Sequence, residues 1–75
     1  MNSEFVLDQA KRIADRARKD ANGDQVKSVD RCFELLLGRA PSEQERADCL
    51  EIAKANDLTL VCRALINSNE FAFLP

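Results

Sequence analysis

Apolar residues in this chain recur at intervals of three and four from Phe5 to Leu65, and no stretch longer than about four residues alternates in the manner of a strand. That period restricts the chain to helices. Seventy-five residues leave room for about four of them around a single core. The expected fold is all-α: a small bundle of four helices plus a short C-terminal helical turn, forming one domain over residues 1–75. A domain of this length buries only about 60% of its unfolded surface, so its stability is marginal and every large side chain matters. With 45% hydrophobic and 32% charged residues, the composition is that of a folding chain and not of a disordered tail.

The boundaries are written in short-range signals. The first helix starts near Ser3, a candidate N-cap, and runs to about Ala21, with Phe5, Val6, Ala10, Ile13, Ala14, Ala17 and Ala21 on its apolar side. That stripe is mostly alanine, which permits close helix approach and contributes little area per residue. Asn22 and Gly23 form a stop, and Asp24 a new cap. The second helix spans about Gln25 to Leu37 and is the most amphipathic, with Val26, Val29, Cys32, Phe33, Leu36 and Leu37 on one face; it is expected at the centre of the core. Gly38 ends it as a left-handed cap. Pro41 and Ser42 open a third helix, about Glu43 to Ala55, through a capping box between Ser42 and Glu45. This helix is expected to bury Cys49, Leu50 and Ala53, with Ile52 at the margin. Asn56 and Asp57 break the pattern, and Asp57 is placed to cap a fourth helix, about Leu58 to Ile66, that presents Leu58, Val61, Cys62 and Leu65. Ser68 can cap the last turn.

The residue inventory excludes most chemistry. There is no histidine. Cys32, Cys49 and Cys62 form no C-x-x-C pair and have no histidine to complete a zinc set, so neither a metal site nor haem attachment is expected. The three are expected to serve as small buried hydrophobes; a disulfide between two of them is the alternative, leaving one thiol free. None of Ser3, Ser28, Ser42 and Ser68 has a histidine base or a lysine at S-x-x-K spacing. Thirteen carboxylates permit accidental pairs, but short loops leave little material for a cleft that would raise one pKa. The chain is therefore expected to be non-enzymatic, with no cofactor.

Charge argues in the same direction. Eleven basic and thirteen acidic residues give a net charge of −2, without the clustered basic surface that nucleic acid needs. Arg12, Arg16 and Lys19 form a stripe on the first helix, but Asp8, Asp15 and Asp20 stand four residues from them and neutralise it through pairs worth about 0.3–0.5 kcal/mol each. No apolar run approaches the ~18 residues of a membrane span, so direct insertion is not expected. If the protein is exported, its signal lies outside this sequence.

Two stretches stand out: Leu37-Gly38-Arg39-Ala40-Pro41 and Asn67-Ser68-Asn69-Glu70-Phe71. Arg39, Asn69, Glu70, Phe71 and Phe73 are the candidate structural or interaction residues. Arg39 follows a helix C-terminus, where a cation complements the exposed carbonyls, and a sharper expectation is that it also reaches Glu70. Phe71 and Phe73 are expected to fold back and close the core; an exposed patch around Phe71, Phe73 and Leu74 would mark a docking face instead.

These stretches, together with Asn2-Ser3-Glu4-Phe5-Val6, Gln9-Ala10, Ala14-Asp15-Arg16, Glu45 and Ala64-Leu65-Ile66, resemble the C-terminal end of a planctomycete domain-of-unknown-function family. That family sits at the end of large proteins bearing planctomycete cytochrome-c-like domains and has no established activity. The resemblance implies a piece of a larger envelope or periplasmic protein whose partner is the rest of the parent chain or another protein. It also implies that any haem motif lies upstream, so no redox function carries over. Over residues 33–71 alone, Phe33 to Pro41 and Ser68 to Phe71 are also similar to the small helical domain of bacterial surface proteins related to phycobilisome linkers, an assembly module. A third expectation is a supporting subdomain of an enzyme whose active site lies elsewhere in the parent.

Overall fold

The computed structural model describes residues 4–55 and 57–68, and within them the chain forms four helices: α1 (Glu4–Asp20), α2 (Gln25–Leu37), α3 (Glu43–Ala55) and α4 (Leu58–Ile66). The fold is the expected all-α bundle. The expected C-terminal turn lies outside the described residues.

The described helix ends use the chemistry their sequence provides. α1 closes with a Schellman motif: the Gly23 N–H reaches the Arg18 carbonyl at 2.9 Å, and the Asn22 N–H reaches Lys19 at 3.1 Å. Asn22 sits at φ 52 and Gly23 at φ 81, a left-handed pair that asparagine and glycine tolerate best. Asp24 then caps α2, its Oδ1 accepting from the Lys27 N–H at 2.8 Å. Gly38, at φ 72, ends α2 by donating to the Glu34 and Phe33 carbonyls, both at 3.1 Å. Asp57 caps α4 by accepting from the Thr59 N–H at 3.5 Å.

Packing follows from which faces are apolar. Among the described residues α2 and α4 each pack against all three other helices, while α1 and α3 pack on that central pair and not on each other. The expectation that α2 lies at the centre is half of the arrangement; α4, only nine residues long, shares the position because it is apolar nearly all round and buries Leu58, Val61, Cys62, Leu65 and Ile66. On α1 the stripe Val6, Ala10, Ala14 and Ala17 is buried, continued by Ala21. The three middle alanines have no exposed surface at all, so they form the flat face that lets α1 approach the pair. Phe33, Val29 and Val61 are the bulkiest fully buried side chains.

Three sequence expectations are corrected. Phe5 is 64% exposed and Val26 44% exposed. Phe5 sits one position, about 100°, off the Val6–Ala10–Ala14–Ala17 stripe. Val26 is on the α2 stripe, but in the first turn, where no neighbouring helix covers it. In α3 only Cys49 is buried; Leu50 and Ala53, expected in the core, are half-buried because α3 is an outer helix covered on one side, and Ile52 sits at the margin as expected.

Candidate functional site

The turn between α2 and α3 holds the candidate residue Arg39 and is densely bonded. The capping box is formed as expected: the Ser42 N–H donates to Glu45 Oε1 at 2.8 Å, and the Glu45 N–H donates to Ser42 Oγ at 3.1 Å. Arg39 closes over it. Its Nη1 and Nη2 donate to Glu45 Oε1 and Oε2, each at 2.8 Å, and Nη1 also donates to the Ala40 carbonyl at 3.0 Å. The guanidinium carbon lies 5.6 Å from the centroid of the Phe33 ring. A planar fork is thus held by a carboxylate in its plane and an aromatic ring against its face. The Arg39 bonds, with help from the Ser42 N–H, hold the Glu45 carboxyl down at about 2, against an ordinary 4.5. Glu45 is a permanent anion over the physiological range and cannot serve as a proton donor there. The other candidate residues, Asn69, Glu70, Phe71 and Phe73, lie outside the described residues, and so does the expected Arg39–Glu70 contact.

Elsewhere acidic and basic side chains are used to join helices. Arg31 of α2 donates to Asp20 of α1 at 2.9 Å, which lowers the Asp20 pKa. Arg46 of α3 donates to Asp30 of α2 at 2.8 and 3.3 Å, and the bond raises the arginine. Arg18 of α1 donates to Asp15 at 3.0 Å and to Asp57, the α4 cap, at 2.8 Å. The expected pairs Asp8–Arg12 and Arg16–Asp20 are present at 3.3 and 3.6 Å. Asp15, expected to meet Lys19, instead takes Arg18 one position earlier, where the same guanidinium also reaches Asp57. Sequence spacing finds partners along one helix. It has no means of finding Asp20–Arg31, Asp30–Arg46 or Arg18–Asp57, whose members meet only when helices pack.

Shallow depressions lie beside these pairs, one of about 240 Å³ flanking Asp20 and Arg31. A cleft of about 190 Å³ is lined by Arg18, Gly23, Gln25, Ser28, Ala53, Asp57 and Leu58. Its charged groups already neutralise one another, and the Ser28 hydroxyl, nearly buried, donates to the Asp24 carbonyl at 2.6 Å. Nothing in it is an activated nucleophile. At the start of α1 a wider groove of about 490 Å³ is lined by Glu4, Phe5, Leu7, Asp8 and Lys11, and there Leu7 is 39% exposed beside the outward Phe5.

The three cysteines are free and buried, as expected. Two of them meet: the Cys62 thiol donates to Cys32 Sγ across 3.2 Å, linking α4 to α2. Cys32, which accepts that bond, is held below the ordinary thiol range, whereas Cys62, bonded to Cys32 and deeply buried, is pushed far above it. Burial, with Asp48 nearby, raises Cys49. Among the described residues no group of three or more His, Cys, Asp or Glu could hold a metal ion, and no helix is long and apolar enough to cross a membrane.

The architecture defines a small all-α module whose polar side chains mainly tie helix to helix. The chain belongs to the PSD1 family, described as a protein of unknown function (DUF1553), whose family model matches residues 1–53. The match includes the Asn2 to Arg16 region and the Leu37–Pro41 turn, both of which carry the family resemblance. No curated protein and no solved structure matches the chain.

Proposed function

We propose that this chain is a non-catalytic docking module of a longer bacterial protein of the planctomycete type, standing at its C-terminal end and associated with the cell envelope. The observation that carries this reading is the groove at the start of α1. Phe5 and Leu7, large apolar side chains, are left in water on a domain too small to spare them, and they are rimmed by Glu4, Asp8 and Lys11. An apolar centre with a polar rim is the anatomy of a contact surface. The occupant is an apolar segment of the parent polypeptide. The non-catalytic half of the reading is supported by Asp20 and Glu45, whose pKa values are lowered and not raised, the opposite of what a general acid needs. The paired state of Arg12, Arg16 and Arg18 speaks against a phosphate-bearing partner.

The test is co-elution of this chain with the remainder of the parent protein, comparing wild type with the double variant Phe5→Ser, Leu7→Ser. The expected result is that wild type binds, while the double variant keeps its helical circular dichroism and melting but loses binding. Equal binding by both would overturn the docking face. Any turnover lost from the parent on replacing Glu45 or Asp20, with folding intact, would overturn the non-catalytic role.

A further inference from the structure

We propose that Cys32 and Cys62 are a thiol–disulfide exchange site: a low-molecular-weight disulfide of the glutathione class oxidises the pair to an intramolecular disulfide that staples α4 to α2. The observation is geometric. The two Sγ atoms stand 3.2 Å apart across the interface of the two central helices, and neither residue has exposed surface. A disulfide bond is about 2.05 Å long, so closure asks for an approach of about 1 Å, within the give of two side chains. Cys49, also in the core, lies on the outer helix α3, and no bond between its sulfur and another thiol is seen among the described residues. The chain thus separates one poised pair from one spectator thiol.

The exchange proceeds in two displacements. The Cys32 thiol, once deprotonated, attacks one sulfur of the small disulfide; a protein–small-molecule disulfide forms and one small thiolate leaves. Cys62, once deprotonated, attacks the Cys32 sulfur, forming the Cys32–Cys62 bond and expelling the second small thiolate. The two protons lost by the protein are taken up by the two small thiolates. The protein is oxidised by two electrons, and the small disulfide is reduced to two thiols. Both thiols are buried in the centre of the core, so access requires transient opening of the α2–α4 interface, and the refolding arm of the test below supplies it directly. Because Cys32 and Cys62 lie on helices separated by all of α3, the closed form pins both ends of the segment that carries it.

The sequence makes the test unambiguous. Trypsin cuts after Arg31, Arg39, Arg46, Lys54 and Arg63, placing Cys32, Cys49 and Cys62 in separate peptides, 32–39, 47–54 and 55–63. The full chain is incubated with oxidised glutathione, once in its folded state and once while refolding from urea, then alkylated and digested without reductant. The expected result is a peptide pair 32–39/55–63, lighter by two hydrogens than the sum of its parts, with Cys49 alkylated. The linked protein melts about 10 °C or more above the reduced one. Cys49→Ala is expected to link identically. A product containing peptide 47–54, three alkylated thiols in both arms, a stalled glutathione adduct, or a linked form that melts below the reduced one would each overturn the proposal.

Discussion

Glu45 shows how much one residue can carry. Its side chain closes the capping box on Ser42 and accepts both arms of Arg39, so a single carboxylate fixes the start of α3 and the direction of the preceding turn. Its pKa falls from an ordinary 4.5 to about 2 on folding, and a group depressed in this way contributes stability that is complete above pH 4.5. That contribution is lost as pH falls from about 4.5 toward 2. The urea midpoint of the wild type is therefore expected to drop through this window more steeply than that of Glu45→Gln, with the two profiles running parallel above pH 6. Gly38 is the second residue with a defined role. A Cβ there would meet nothing within 4 Å, so the cost of Gly38→Ala is purely that of holding alanine at φ 72, about 1–2 kcal/mol by chemical denaturation. The capping box and the glycine cap are both legible in sequence because each is decided by residues within four positions of one another. The Arg39 fork on Glu45, six residues apart, is not a helical spacing, and only the turn's path brings the two together.

At the scale of helices, the alanine face of α1 determines how closely the bundle packs. Ala10, Ala14 and Ala17 are wholly buried, and a longer side chain on that face has to push α1 away from α2 and α4. Ala14→Leu is expected to destabilise by about 1–3 kcal/mol in urea unfolding, despite leucine being more hydrophobic and nearly as good a helix former. The interhelical pairs Asp20–Arg31, Asp30–Arg46 and Arg18–Asp57 are substantially exposed and add little free energy each. Their role is registry: each links a different pair of helices and disfavours alternative angles for a face as smooth as polyalanine. The apolar stripe of α1 could be read from spacing. Phe5 shows the limit of such reading, because spacing orders residues around a helix without showing how wide an arc the neighbours cover.

For the molecule as a whole, one aromatic side chain anchors the core among the described residues. Phe33 is 1% exposed, the bulkiest of the fully buried side chains, and it also supports the Arg39 guanidinium. Phe33→Ala is expected to cost about 3–5 kcal/mol, a large share of the ~5–15 kcal/mol typical of a domain. A scanning calorimeter should record a Tm lower by about 15 °C or more, or no transition at all. Against such a margin, a bond between Cys32 and Cys62 is a substantial addition, since closing a loop of about 30 residues is worth about 3–4 kcal/mol in the chain-entropy picture.

What the sequence determined by itself is everything decided over three or four residues: the all-α class, the bounds of α2, α3 and α4, the caps at Asp24, Gly38, Ser42 and Asp57, and the buried stripes of α1 and α4. Local hydrogen bonds and a 3.6-residue period act within one helix and leave their mark in linear spacing. The tertiary structure decided that α4 shares the centre with α2, that Phe5 and Val26 face water, that Arg18 turns to Asp57, and that Cys32 meets Cys62. Those outcomes depend on which helix faces meet and at what angle, and residues 30 or more positions apart leave no periodic trace of their meeting.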